Sequence, residues 1–196
     1  YVVVPRPNAA TISADKMNVV YRGVVNPISV SFAGVADNKV VASAPGLSSA
    51  GKPGKYNMSP GQGTEAVINV TAKLPGGKTA SSKKVFRIKG IPAPVGTIGG
   101  EMYGAKGQKS RLAVSQIGAK LPDFDFDVNL TVTGFTFKAP GQAAVVVSGN
   151  RVNSQCEAAM ARASRGDAVT ITDIKVRLEG SNIILPRTAP IVYEIQ

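Results

Sequence analysis

Three aspartates, Asp123, Asp125 and Asp127, alternate with two phenylalanines. Their spacing matches the opening of an EF-hand loop, whose first, third and fifth residues bind Ca²⁺. The sixth position here is Val128, where that loop needs glycine, and the twelfth is Gly134, where it needs a bidentate glutamate. Alternation with phenylalanine instead favours a strand with one acidic face. We therefore predict no metal site, and we expect a Lys or Arg of a neighbouring strand or of a partner to oppose the acids.

A second candidate for chemistry is the glycine-rich stretch from Gly99 to Lys109. It contains pieces of a phosphate-binding loop, but Gln108 separates Gly107 from the lysine, and no second glycine directly precedes that lysine. The chain also has no histidine, so it lacks the commonest general base and metal ligand. We predict no catalytic site, no enzyme activity and no cofactor.

The positive charge is concentrated in the first half of the chain. The net charge is +11, and residues 1–90 hold twelve Lys and Arg against three Asp and Glu, whereas residues 91–196 hold eleven against nine. The electrostatic field of such an excess of positive charge favours acidic partners. Only Lys83 and Lys84 are adjacent, and few aromatic residues are interleaved for bases to stack on, so we predict no nucleic-acid binding. No apolar run is long enough for a membrane span, and we expect no direct membrane contact.

Residues 1–90 show the two-residue alternation of half-buried strands. The pattern predicts strands at Val2–Val4, Val19–Tyr21, Ile28–Phe32, Val40–Ala42, Ala66–Ala72 and around Phe86 and Ile88. A proline and two glycines at residues 75–77 predict the turn between the last two strands. Counting these six, we expect about seven strands in ~90 residues, a density typical of an immunoglobulin-like β-sandwich.

Two prolines mark a boundary after this first half. Pro92 and Pro94 favour a short, stiff linker over residues 91–95, because each proline fixes its own φ and extends the residue before it. We therefore predict two domains, over residues 1–90 and 96–196.

Residues 96–196 are predicted to form a second β-rich domain with one or two short helices. Apolar residues share one face of a strand from Phe124 to Val132 and then change parity at Gly134, which predicts a β-bulge. A second change of parity falls near Asp173. The all-apolar run at residues 143–147 predicts a strand buried on both faces.

The clearest helix signal lies near residues 154–165. Ser154 with a glutamate three residues later forms a capping box, and Gly166 is placed to end the helix. Cys156 falls on the apolar face and is expected to be an inert core thiol. A second helix of one or two turns is predicted over residues 109–117.

Five segments are similar, in their order and spacing, to one known family. They are Asn26-Pro27-Ile28-Ser29-Val30, Val85-Phe86-Arg87-Ile88-Lys89-Gly90-Ile91-Pro92-Ala93-Pro94, Gly99-Gly100-Glu101, Phe124-Asp125-Phe126-Asp127, and Gly166-Asp167 with Ile174-Lys175-Val176. Together they resemble the C-terminal periplasmic domains of the GldM/PorM family, and the PorM members most. The similarity covers nearly the whole chain.

This resemblance implies a part of the type IX secretion and gliding machinery. It implies the periplasmic portion of an inner-membrane-anchored protein, a structural module that transmits force by protein–protein contacts. A GldL/PorL-type membrane subunit would pair with an N-terminal region outside this sequence to form a proton-driven motor. Ring proteins of the GldK/PorK and GldN/PorN type would lie beneath the outer membrane. We also predict a homodimer, in which strands pair between protomers either by addition or by exchange.

No binding motif of that family can be matched residue by residue, so candidate partner contacts follow from charge and position. They are the basic strand and linker residues Arg87, Lys89 and Ile91 and the acidic residues Asp123, Asp125 and Asp127. The alternative function is a sugar-binding or adhesin-like β-sandwich of a secreted protein. That function requires an exposed aromatic platform, and this chain has no Trp and six Phe that fall mostly at core-patterned positions.

Overall fold

The chain is mainly β and divides into two compact units between Gly90 and Ile91. A computed structural model describes residues 17–196, so the strand predicted at Val2–Val4 lies outside the described residues. Each unit has its own hydrophobic core. The units are described separately below.

The first unit contains seven short strands in residues 17–90. They are β1 (Val19–Tyr21), β2 (Asn26–Ser29), β3 (Val40–Ser43), β4 (Leu47–Ser49), β5 (Lys55–Met58), β6 (Glu65–Lys73) and β7 (Thr79–Lys89). One sheet has the order β1-β7-β6-β3 and the other the order β2-β5-β4. The strand β1 runs parallel to β7, and the other pairs are antiparallel. Buried side chains of both sheets form one core, as in an immunoglobulin-like sandwich.

The alternation of apolar residues in β6 produces the inner face of the first sheet. Ile68 and Ala72 are buried and Val70 is half-buried, whereas the residues between them are exposed. This confirms the predicted alternation. The sequence pattern missed β4 and β5, and it placed β2 too late, because that strand begins at Asn26.

Two polar groups join the sheets of the first unit across the core. Asn26 is 3% exposed, and its side chain accepts a hydrogen bond from Tyr21 N (2.7 Å) and donates to Tyr21 O (2.9 Å), Val24 O (3.1 Å) and Met58 O (3.1 Å). It therefore links β1 of one sheet to β5 of the other. The phenolic oxygen of Tyr56 accepts a bond from Ala42 N in the opposite sheet (3.0 Å). These bonds satisfy buried polar groups, as packed interiors require.

The second unit contains eight strands and two short helices in residues 91–196. They are β8 (Val95–Ile98), β9 (Glu101–Met102), β10 (Ala105–Gly107), α1 (Lys109–Ala113), β11 (Ile117–Lys120), β12 (Leu130–Lys138), β13 (Val145–Ser148), α2 (Ser154–Met160), β14 (Ala168–Leu178) and β15 (Ile191–Ile195). A five-stranded sheet has the order β10-β15-β14-β12-β13, and a three-stranded sheet has the order β11-β8-β9. Val95, which the sequence placed in the linker, already belongs to β8.

The central strands β12 and β14 carry two bulges that offset one another. Val132 pairs with Val176 and Gly134 with Lys175, so β12 has one extra residue between these pairs. Thr136 pairs with Thr172, so β14 has one extra residue in the next interval. Beyond both bulges the original register returns. The predicted parity changes at Gly134 and near Asp173 are therefore confirmed, and Asp173 adopts a left-handed φ of 48°.

The cap of α2 lies one residue before the predicted cap. The side chain of Asn153, rather than Ser154, accepts a bond from Cys156 N (3.1 Å) and caps α2. The helix ends at Met160, well before Gly166, so it is shorter than the segment 154–165. Cys156 is fully buried, and this burial raises the pKa of its thiol, which keeps the sulfur protonated and unreactive at neutral pH.

Two predicted strands differ from the observed ones, because the position of the neighbouring strands decides where a strand starts and how far it is buried. The strand expected from Phe124 starts at Leu130, because β14 ends opposite it at Leu178 and offers no partner to earlier residues. The run at residues 143–147 was expected to be buried on both faces. It is instead the edge strand β13, paired with β12 alone among the described strands, and Val146 is 75% exposed.

Candidate partner-binding surfaces

The longest hairpin of the first unit is strongly basic. We call residues 65–89, which contain β6 and β7, the basic hairpin. Glu65 is its only acidic residue, and its basic residues are Lys73, Lys78, Lys83, Lys84, Arg87 and Lys89. The strands pair over nine residues, so the charges of Lys73, Lys83, Lys84 and Arg87 are held on a ladder rather than on a loop.

The exposed face of the basic hairpin has an apolar centre. Val67 and Val85 lie opposite each other in the ladder, and each is about two-fifths exposed. Asn69 faces Lys83 on one side of the valines, and Glu65 faces Arg87 on the other. Cross-strand valines with basic neighbours can contact a protein surface that has an apolar patch and carboxylates.

The structure brings two of the predicted contact residues to this face. Arg87 and Lys89 follow Val85 at two-residue spacing along β7, and both are exposed. They also pair with Val19 and Tyr21 of β1. The third residue of this set, Ile91, is 3% exposed, so its side chain is not available on the surface and the structure removes it from the candidate contacts.

The acidic residues form a second surface, in the other unit. We call residues 123–127 the acidic segment; it begins in a turn at Asp123, which has a left-handed φ of 55°. Asp123, Asp125 and Asp127 are all exposed, and Phe124 and Phe126 between them are half-buried with ring centroids 5.1 Å apart. The predicted alternation therefore persists, although no ladder forms here.

The acidic segment forms no ion pair with a basic residue in the described part of the chain. None of the ion pairs formed within residues 17–196 includes Asp123, Asp125 or Asp127. Three like charges on one side of a segment repel each other, and no ion pair among the described residues offsets that repulsion. The expectation that a Lys or Arg opposes these acids stays a prediction.

The basic residues near Gly107 are used in internal contacts. Lys109 Nζ donates to Ala161 O (3.1 Å), and Arg111 pairs with Glu101 and donates to Lys106 O (3.1 Å). A phosphate-binding loop would direct such groups towards a ligand. In this stretch the same groups instead hold α1 against neighbouring segments.

Sequence reasoning missed one surface of the second unit. Residues 180–190 form an irregular segment, which we call the strap, between β14 and β15. Ile184 in the strap is 97% exposed, and Ile183 and Leu185 beside it are half-buried. A signal was present in the sequence, because Ile183-Ile184-Leu185 directly precedes a proline and fits neither a helical nor an alternating pattern.

Neither a metal-binding cluster nor a membrane-spanning helix is present in residues 17–196. Residues 17–196 contain no group of three or more Cys, Asp or Glu side chains placed to hold a metal ion. No helix in this part of the chain is both long enough and apolar enough to cross a membrane.

Comparison with known proteins assigns both units to one family. A family model described as GldM third domain matches residues 9–89, and a model described as GldM C-terminal domain matches residues 92–196. No curated protein gives a significant match.

Two solved structures are similar to the chain over most of its length. The fibronectin(III)-like modules of CbhA from Clostridium thermocellum are 14% identical, with 90% of this chain and 87% of that chain covered and a TM-score of 0.30. Domains 4 and 5 of the S-layer protein SbsC are 18% identical, with 83% and 74% covered and a TM-score of 0.25.

Proposed function

This chain belongs to the GldM family of the gliding and type IX secretion machinery, and we propose that it is a periplasmic module that transmits force by protein–protein contacts. The observation that carries the proposal is that the family's third and C-terminal domains match both units consecutively. Members of the family are anchored in the inner membrane and have a periplasmic portion. In the proposed arrangement these units lie between a GldL/PorL-type motor subunit and a ring of GldK/PorK-type and GldN/PorN-type proteins.

The proposed role is binding rather than catalysis. The family is a structural component of its machinery. The most reactive side chains considered among the described residues are buried or bonded within the chain. Cys156 is a buried, protonated thiol, and Lys109 and Arg111 bind backbone oxygens and Glu101. Both units are built largely of paired strands, and side-chain hydrogen bonds join the two sheets of the first unit, which suits a part that must keep its shape under load.

The two charged surfaces support contacts with different partners. The basic hairpin presents valines surrounded by Lys and Arg, and the acidic segment presents three aspartates with half-buried phenylalanines. Complementary charge steers protein encounter and fixes orientation. In the proposed function each surface binds a protein of the opposite charge.

We also propose that the chain forms a homodimer. The edge strand β13 supports this, because Val145–Ser148 has no charge and no proline, the features that commonly protect sheet edges from pairing. An uncharged strand can pair with its own copy about a two-fold axis without repulsion. Sedimentation showing only monomer at a concentration on the order of tens of micromolar would contradict the dimer.

The proposed function is tested by capture of ring proteins on the immobilised chain. Lys89→Glu and Asp125→Lys are each expected to reduce capture of a GldK/PorK-type or GldN/PorN-type protein about tenfold, since an interfacial charge meets a like charge. Lys52→Glu, an equal charge change at an exposed residue outside both surfaces, is the control and should capture normally. Full capture by both variants would exclude these surfaces, and no capture by the unmodified chain would contradict the proposed function.

A further inference from the structure

The strand β14 has an open edge next to the strap. From Thr170 to Leu178 β14 pairs with β12, but on its other side it pairs with β15 only through Ala168–Ile171. No strand among the described residues pairs with the second edge of Thr172–Leu178. The strap runs beside this edge, since Ile174–Arg177 and Ile183–Thr188 line one cleft of about 320 Å³.

Backbone groups of β14 face this cleft. Glu179 N donates to Asn129 O (2.9 Å), so Glu179 and, two residues earlier, Arg177 direct their backbone bonds to the β12 side. The backbone N–H and C=O of Val176 and Leu178 therefore point to the open edge. Leu178 O accepts a bond from Ser181 N (3.3 Å), whereas the strap gives Val176 no bond.

The strap is attached at its ends and does not complete the sheet. At its beginning Ser181 bonds to Leu178, and at its end Arg187 forms an ion pair with Asp173 (2.8 Å) and Ala189 N donates to Pro94 O (2.9 Å). Pro186 and Pro190 have no N–H to donate, so the strap is a poor strand. Its central residue, Ile184, stays almost fully exposed.

The charges of the cleft indicate what it would bind. Its charged lining residues are Lys175, Arg177 and Arg187, and none is acidic. Arg187 is neutralised by Asp173, but no ion pair within residues 17–196 involves Lys175 or Arg177, which are both exposed. Unpaired backbone groups can accept an added strand, and side chains beside them select its sequence.

We infer that the cleft between β14 and the strap is a docking site for an extended segment of a partner protein in which acidic and apolar residues alternate. Its backbone pairs with Val176, its carboxylates meet Lys175 and Arg177, and its apolar side chains contact Ile184. The inference adds a specific contact site to the proposed function. It rests on that function for one premise only, which is that the second unit contacts another protein.

The test uses a fluorescent, end-blocked octapeptide in which valine alternates with glutamate. Its binding to the whole chain is measured by fluorescence anisotropy. The peptide is expected to bind, and a matched peptide alternating valine with lysine is expected to bind at least about tenfold more weakly. The double variant Lys175→Ala/Arg177→Ala should weaken glutamate-peptide binding about tenfold, and Ile184→Ser should weaken it severalfold. The control Lys138→Ala/Arg162→Ala removes one Lys and one Arg outside the cleft and should bind normally.

Pairing with the backbone is tested separately by amide hydrogen exchange. The Val176 amide is expected to exchange at least about tenfold more slowly when the glutamate peptide is bound. Equal binding of both peptides, normal binding by the Lys175/Arg177 variant, or an unchanged Val176 amide would each overturn the docking site. Capture of ring proteins through the basic hairpin and acidic segment would be unaffected by those results, so the two proposals fail independently.

Discussion

The hydroxyl of Tyr193 donates a hydrogen bond of 3.1 Å to the backbone carbonyl oxygen of Gln108. It joins the last strand of the chain to the residue that precedes α1, 85 positions earlier. Tyr193 is 1% exposed, so the bond satisfies a polar group inside the core of the second unit.

Tyr193→Phe is expected to destabilise the second unit by about 1–2 kcal/mol, because it leaves the Gln108 carbonyl without its partner while preserving the ring packing. Hydrogen exchange of β15 amides measures the loss. Tyr103→Phe removes an equivalent hydroxyl from a side chain that is 70% exposed and should have no measurable effect. Equal protection in the two variants would show that the hydroxyl of Tyr193 contributes nothing.

Asn26→Ala is expected to destabilise the first unit by about 2–4 kcal/mol, since backbone groups of Tyr21 and Met58 lose their buried partner. Asn26→Asp keeps the acceptor but loses both donors and buries a charge, so it should be at least as harmful at neutral pH. Hydrogen exchange resolved by unit checks both variants. Protection lost equally in the second unit would contradict a local role.

Gly96→Ala is expected to destabilise the second unit by about 1–3 kcal/mol. An added Cβ would lie 2.6 Å from Ile174 Cδ1 and 2.9 Å from Ala189 O, so the core would have to shift. Gly61→Ala is the matched control, because a Cβ there meets no atom within 4 Å and φ is not left-handed. The midpoints of thermal unfolding should fall for the first variant only.

The pKa of Cys156 is raised mainly by burial, so the native state holds the thiol proton more tightly than the unfolded state does. The resulting stability is complete below the unfolded thiol pKa and declines as pH rises from there through the native pKa. Unfolding free energy should therefore fall on the alkaline side, and less steeply in Cys156→Ala. The pKa of Tyr193 is also raised by burial, so some decline persists in the variant. Identical slopes for both proteins would disprove the contribution of the thiol.

Patterns that depend on one strand and its own face were predictable from the sequence. The inner face of β6, the burial of Ile191, Tyr193 and Ile195, and the parity changes at Gly134 and near Asp173 all follow from two-residue spacing. Spacing reports which side chains share a face, and that information is local.

Features that depend on a strand distant in the sequence were not predictable. Residues 143–147 are apolar enough for an interior strand, but whether a second strand covers β13 is decided elsewhere in the chain. The acidic segment keeps its alternation but forms no ladder, because β14 ends at Leu178. At α2 both Asn153 and Ser154 are good caps, and the choice between them required the observed backbone geometry.

The candidate site was predictable in part for the same reason. Charge and alternation identified the exposed residues Arg87, Lys89, Asp123, Asp125 and Asp127, whose roles as contacts remain predictions. Ile91 was misplaced because Pro92 and Pro94, which follow it, indicate a linker, and they do not report burial. The strap cleft escaped notice because an open sheet edge exists only once the strand order is known.

The paired bulges of β12 and β14 limit how this sheet can change in evolution. Deleting one residue from β12 between Val132 and Gly134 would shift one side of the strand by one position relative to β14. The shifted side would contain either Val132 or Phe135 and Phe137, and its buried side chains would turn outward. A matching deletion at Asp173 would restore the alignment on both sides. Viable homologues should therefore gain or lose residues here two at a time, one in each strand.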